Sequence, residues 1–280
     1  FCAAGNDPAR ILDEHWYMAP YYYGRDDYHA KPMFDLRGVN LGRESYVAGP
    51  LEDWTRGALQ FNGRDQFAVC SDRVLSQKLD YTIKHRWREN GRQETRHAQG
   101  RDFKSPQIYE TNFLLEVYFR IEPGATEGVL VEKRSGAGYS LAVNRRGGVT
   151  LETSGGRETA SLASTVALND GRWHHVIAEC DRAARTLTLY VNGRKDTAGP
   201  GLGAEQSLAN SGDLYVGGTP SGRCLRGTMD FLRVCLGTLA DAKTDIDELY
   251  AWEFDGPFLR DFAGRVPRGR RDAGALEKTD

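Results

Sequence analysis

The chain has 280 residues, with 37 Lys or Arg against 39 Asp or Glu, a formal net charge of −2. That balance excludes a generally basic nucleic-acid binder, and 40% hydrophobic with 27% charged residues excludes disorder of the whole chain. No stretch approaches the roughly 18 apolar residues that cross a bilayer, since even Phe113 to Tyr118 is interrupted by Glu116. Starting at Phe1 rather than Met, without a charged segment followed by an apolar one, the chain reads as processed or as a fragment, with a removed signal peptide permitted.

Residues 1 to 56 lack periodicity but hold an aromatic cluster, Trp16, Tyr17, Tyr21, Tyr22, Tyr23 and Tyr28, which needs burial. They are expected to form an irregular segment packed on a core. From Ala58 the pattern changes. Leu59, Phe61, Phe67 and Val69 alternate around Asn62-Gly63, a strong hairpin signal. Residues 82 to 105 interrupt with seven Lys or Arg against three acids, and read as a long loop. Then Phe113, Leu115, Val117, Phe119 and Ile121 alternate with Glu116, Tyr118 and Arg120 on the opposite face.

The runs GVLVEKR, GYSLAVN and GVTLET follow as short strands at the spacing of a sandwich or barrel. WHHVIAECD and TLTLYVNG are two more, joined by residues 182 to 185, with Asn192-Gly193 turning the chain again. DLYVGG and GTMDFLRVCL complete the set. Thr244 can cap a short helix in TDIDELYAW, with Asp247 three residues later. The tail from 251 to 280, rich in Arg, Gly and Pro, is expected to be extended.

This order resembles the laminin-G-like jelly roll of the concanavalin A-like lectin and glucanase superfamily. The carrying pieces are ALQFNGRDQFAV, NFLLEVYFRI, DGRWHHVIAECDRAARTLTLYVNGR and LRGTMDFLRVCLGTLADAKTDIDELY, covering about residues 57 to 250. The resemblance implies an all-β, two-sheet antiparallel jelly-roll sandwich with one short C-terminal helix and irregular flanks. It further implies a concave face that often binds glycans, and a calcium ion on the rim. In that setting Asp170-Gly171 makes a turn and Trp173 is expected to plug the core. Alternation puts His175 and Ile177 on the Trp173 side, with His174, Val176 and Ala178 opposite. Neither histidine has a nucleophile motif beside it, so both read as structural. A second resemblance lies in RDFAGRVPRGRRDAGALE, which is similar to the closing segment of secreted parallel β-helix proteins and suggests a longer exported, bacterial-type parent.

Retaining glycosidases need two carboxylates about 5 to 5.5 Å apart, and the E-x-D-x-x-E strand that supplies them in glucanases is absent. Jelly-roll lyases use Tyr and His with a neutralising Arg or Gln, and their motifs are absent too, Gln107-Ile108-Tyr109 being a faint echo. For metals, the resemblance implies calcium held by Asp230 and by oxygens of the Asn62-Gly63 turn; Asp230 satisfying turn amides is the other reading. The five cysteines, Cys2, Cys70, Cys180, Cys224 and Cys235, show no CxxC or Cys/His spacing. They read as buried free thiols or as disulfide partners that the sequence does not assign.

The basic stretch from Lys84 to Lys104 carries the remaining candidate site. Arg86, Arg88 and Arg92 could meet carboxylates or sulfates while Trp87 stacks on a sugar ring; a solvated loop is the alternative. Three functions therefore fit: a non-catalytic polysaccharide-binding module of a secreted or cell-surface protein, a polysaccharide lyase or glycoside hydrolase, and a structural or adhesion domain. The first leads, with an acidic polysaccharide or the rest of a longer parent protein as partner and no nucleic acid.

Overall fold

Alternating apolar positions build the main strands. The structure, a computed structural model, describes residues 36–50, 57–70, 79–84, 93–98, 108–241 and 245–247. Their strands in chain order are β1 (Leu36–Val39), β2 (Tyr46–Val47), β3 (Ala58–Asn62), β4 (Phe67–Cys70), β5 (Leu79–Lys84) and β6 (Gln93–Ala98). Next come β7 (Phe113–Ile121), β8 (Gly128–Ser135), β9 (Ala137–Val143), β10 (Val149–Gly155) and β11 (Thr159–Ala163). The series closes with β12 (Trp173–Asp181), β13 (Thr186–Val191), β14 (Arg194–Pro200), β15 (Leu214–Val216) and β16 (Arg226–Leu236).

Two seven-stranded antiparallel sheets result, ordered β1-β4-β15-β8-β9-β10-β11 and β14-β13-β12-β7-β16-β3-β2. This is the expected two-sheet sandwich. Its interior takes Phe113, Leu115, Val117, Phe119 and Ile121 from β7, with Val176, Ala178 and Cys180 from β12 and Tyr139 and Leu141 from β9. The sheets approach closely where Gly217, at φ +75°, lies against Phe61: a Cβ there would overlap the ring. Glycine is thus required twice over, for conformation and for space.

The long strand β16 changes phase in its middle. Its register with β7 shifts between Met229 and Phe231, so Asp230 is the extra residue of a bulge. Met229 faces inward before the bulge, and Leu232 and Val234 do so after it. Phe231, Arg233 and Cys235 therefore share the outer face, in register with Tyr118, Glu116 and Leu114 of β7. The β12–β13 hairpin forms as expected, as does the turn that follows, where Asn192 and Gly193 both have positive φ, 49° and 78°.

Four expectations need correction. Asn62-Gly63 does not close a hairpin, because β3 pairs with β16 and β2 while β4 pairs with β1 and β15. Asn62 remains in the strand, and its Oδ1 accepts the N–H groups of Arg64 and Asp65, which steers the chain across to the other sheet. Phe67 and Val69 consequently face outward, against Cys224, Val39 and Tyr215. Trp173 does not plug the core: it shares a face with His175 and Ile177, but that face is the outer one, because Val176, Ala178 and Cys180 take the interior. The segment 82–105 is not wholly loop, since β5 and β6 pair from Leu79↔Ala98 to Lys84↔Gln93. Residues 36–39 and 46–47, within the flank expected to be irregular, add strands to both sheets. Such short or polar strands carry too little apolar alternation to be seen. Ile246 and Asp247 are helical, and the rest of the expected helix, the aromatic cluster and the tail lie outside the described residues.

Candidate functional site

The outer face of the β7-containing sheet gathers the chemically active side chains. Cross-strand register sets them in rows. Gln60 of β3 lies opposite Thr228 of β16, Thr228 opposite Arg120 of β7, and Arg120 opposite Trp173 of β12. In the next row Phe231, Tyr118 and His175 stand side by side, and in the third come Arg233, Glu116 and Ile177. Strand alternation explains the sets, because residues two apart on one strand share a face.

The first rows are partly open to solvent. Trp173 and Tyr118, both half-buried, stack with ring centroids 5.4 Å apart at 31°. The Arg120 guanidinium lies over the indole, 5.4 Å from its centroid, and its Nη2 donates to Thr228 Oγ1 at 3.4 Å. Burial, and then the nearby Asp230 charge, push the Tyr118 phenol up, so it stays a neutral donor.

The third row is buried although it faces away from the core. Glu116 is 2% exposed and Arg233 8%, and His175 of the row before is also only 2% exposed. His175 Nε2 lies 2.9 Å from Glu116 Oε1, and Arg233 forms an ion pair with the other carboxylate oxygen. The carboxylate is thus held from both sides, which offsets the large desolvation penalty of a buried charge. His174 points the other way, and its ring is fixed by Asp170 at 2.8 Å and by Asn192 at 3.0 Å. Its Nδ1 accepts from the Asn192 amide, which leaves Nε2–H to donate to Asp170. Asp170 feels some desolvation, yet the bonds from His174 and the Arg172 N–H hold it below its usual range.

Beyond these rows the chain itself closes the face. After β16, Leu239 and Ile246 pack on Leu114, Ile177 and Cys235, with Tyr190 alongside. Glu179 pins this return: it accepts the Leu239 N–H at 2.6 Å and the Tyr190 O–H at 3.3 Å. Asp241 fixes the turn by accepting from Thr238 N at 2.8 Å and Asn112 Nδ2 at 2.9 Å. The face therefore has a closed end and a half-open end, and Trp173, Arg120 and Gln60 lie at the open one.

The residues expected to hold calcium are separated. Asp230 is fully buried in its bulge with the Gly49 main chain pressed against its carboxylate, where a Cβ would overlap Oδ2. Asn62 pairs with Arg226, four residues back along β16, which is about 13 Å at strand rise. Asn62 and Gly63 instead border a rim depression of about 620 Å³ with Gln60, Glu44, Glu122 and Arg226. Asn62 spends its side chain on the turn, and Arg226 is ion-paired to Glu122 at 2.6 Å. These donors do not converge on one cation, and among the described residues no three His, Cys, Asp or Glu side chains gather as a metal site. Arg86, Trp87, Arg88 and Arg92 fall in sequence between β5 and β6 and lie outside the described residues.

Sequence alternation placed Glu116, Tyr118 and Arg120 on one face and His175 beside Trp173, so the lining of each strand was there to be read. What it lacked was register between strands, and with it the meeting of the two sets.

Residues 97–243, more than half of the chain, match the family described as the concanavalin A-like lectin/glucanases superfamily, and the chain belongs to it. No curated protein matches the sequence. Among solved structures, mouse laminin alpha1 chain domains LG4-5 are similar at 18% identity and TM-score 0.40, over 47% of this chain and 36% of that one. The Ruminococcus gnavus IT-sialidase CBM40 matches at 13% identity and TM-score 0.39, over 47% and 80%. The binding domain of botulinum neurotoxin serotype D/C matches at 10% identity and TM-score 0.49, over 78% and 47%. The binding domain of Paraclostridial Mosquitocidal Protein 1 is likewise covered only to 47% of its length. Among the described residues no helix is long and apolar enough to cross a membrane.

Proposed function

We propose that this chain is a carbohydrate-binding module of an exported or cell-surface protein, and that it holds a saccharide on the open end of the outer face of the β7-containing sheet. One observation carries the reading: the half-buried Tyr118–Trp173 stack is bordered by polar Gln60, Thr228 and Arg120 on adjacent strands. Sugars present C–H faces that suit aromatic rings and hydroxyls that suit planar amides and guanidinium groups. Side chains mounted on neighbouring strands are already ordered, so little conformational entropy is lost on binding. The Arg86, Trp87, Arg88 and Arg92 stretch is proposed as a second contact for long acidic chains.

The test is a glycan array followed by titration of the best ligand into the wild type, Trp173→Ala and Gln60→Ala. The reading expects binding by the wild type and its loss in both variants with unchanged circular dichroism. Equal binding by all three proteins would refute it. Release of reducing ends or unsaturated uronates from the same ligands would favour a hydrolase or lyase instead.

A further inference from the structure

Among the described residues no carboxylate forms an ion pair with Arg120. Its guanidinium has five N–H donors in a rigid fork, and one of them is committed, to the Thr228 hydroxyl. Among the described residues its other interaction is with the Trp173 ring. Two described arginines of this outer face are paired with acids, Arg233 with Glu116 and Arg226 with Glu122. Glu122, two residues after Arg120 and just past the end of β7, is therefore already taken.

We infer that the Arg120 fork is a receptor for a carboxylate of the ligand, so that the saccharide recognised on this face is an acidic one such as a uronate or a sialoside. This rests on the function proposed above and names its substrate class. A half-buried cation is partly desolvated, and a neutral sugar hydroxyl returns only part of what water supplied. A carboxylate offers two coplanar oxygens that match the fork and form two charge-assisted bonds. The indole beneath the guanidinium fixes its plane before the ligand arrives, which favours a bidentate contact over a diffuse one. The neighbouring Glu116 charge is already met by His175 and Arg233, so it does not repel the incoming anion at close range.

The experiment uses the full chain and matched pairs of ligands: oligogalacturonate against its methyl ester, and sialyllactose against lactose. Calorimetry should show the wild type binding at least one acid about tenfold or more tighter than its neutral partner, as a charged hydrogen-bond pair would give. Arg120→Gln should erase that preference, the acid and its neutral partner then binding alike, and Arg120→Lys should restore part of it, because a point charge cannot form the fork. Melting curves check that both variants fold. An acid preference that survives Arg120→Gln, or its absence in the wild type while neutral sugars bind and Trp173→Ala abolishes that binding, overturns the inference and leaves the binding function standing. No binding by any member of either pair, or across the array, overturns both.

Discussion

Trp173 and Phe113 are both large aromatic residues at strand positions, yet they carry different loads. Phe113 is fully buried between the sheets, whereas Trp173 lies half-buried on the outer face against Tyr118 and Arg120. Phe113→Ala should therefore lower stability by about 3 to 5 kcal/mol, the usual result of emptying a core site. Trp173→Ala should lower it by only about 1 to 2 kcal/mol, because less area is removed from water and no sealed cavity remains. Denaturant melts of the two variants side by side check the order; a larger loss for Trp173 would return it to the core. Glu179 makes a prediction about pH. Burial, aided by Asp181 and Asp241, raises its pKa above the ordinary 4.5, against the lowering effect of its bonds to Leu239 and Tyr190. The folded state then holds this proton more tightly than the unfolded chain. Its contribution to stability is greatest below the ordinary carboxylate value and declines as pH rises through the raised one. Glu179→Gln, which keeps an oxygen for the Leu239 N–H, should flatten that part of the stability profile measured from pH 4 to 8. A slope identical to the wild type would assign the effect to other groups.

At the scale of elements, Arg182 shows how one side chain organises a segment that has no strand of its own. It sits at the β12–β13 turn, 1% exposed, and its Nη2 donates to the carbonyls of Gly203, at 2.6 Å, and Gln206. Those bonds seat Leu202 and Leu208 in the core. Arg182→Ala would leave the Gln206 carbonyl without this donor, at about 1 to 3 kcal/mol, and the Gly203 carbonyl with the Gln206 N–H in place of two donors. Faster hydrogen exchange at the amides of Gln206 and Leu208, which bond Gly203 and Tyr109, is the expected signature. Protection equal to the wild type at both would show that the packing holds without the arginine. The β5–β6 pair makes the other prediction at this scale. A contact between Arg86, Arg88 and Arg92 and a polyanion should weaken steeply with salt, since exposed charges are screened within about 8 Å at physiological ionic strength. Replacing all three by Ala should remove that salt dependence in pectate titrations. Identical curves for the two proteins would leave a solvated stretch. The amphipathic elements, β7 to β10 with β12, β13, β15 and β16, were legible because each alternates or ends at a turn signal. β1, β2, β5 and β6 were not, because a strand that is short or polar on both faces is defined by its neighbour rather than by its own residues.

Across the sandwich the described cysteines belong to packing rather than to cross-linking. Cys70, Cys180, Cys224 and Cys235 are buried, and burial pushes Cys180 up to about 12 and Cys235 to about 11. In a Cys2→Ser variant, a thiol reagent at pH 8 should leave the native protein unlabelled and modify all four sites after unfolding in guanidinium. Rapid native labelling would mean that the sandwich opens locally around them. By itself, the sequence determined the class of fold, the order of the main strands, the hairpin at Asn192-Gly193 and which residues of β7 and of β12 share a face. Period-two alternation and positive-φ turn residues are properties of neighbours in the chain, so they can be read without a partner. Only the tertiary structure decided which of two apolar faces of β12 turns inward, that β3 and β4 part to different sheets, and that Arg120 meets Trp173 while Glu116 meets His175 and Arg233. Those outcomes depend on register between strands far apart in sequence and on a single bulge at Asp230 that reverses the phase of β16. A one-residue slip exchanges every inner side chain for an outer one, so no local pattern could have specified them.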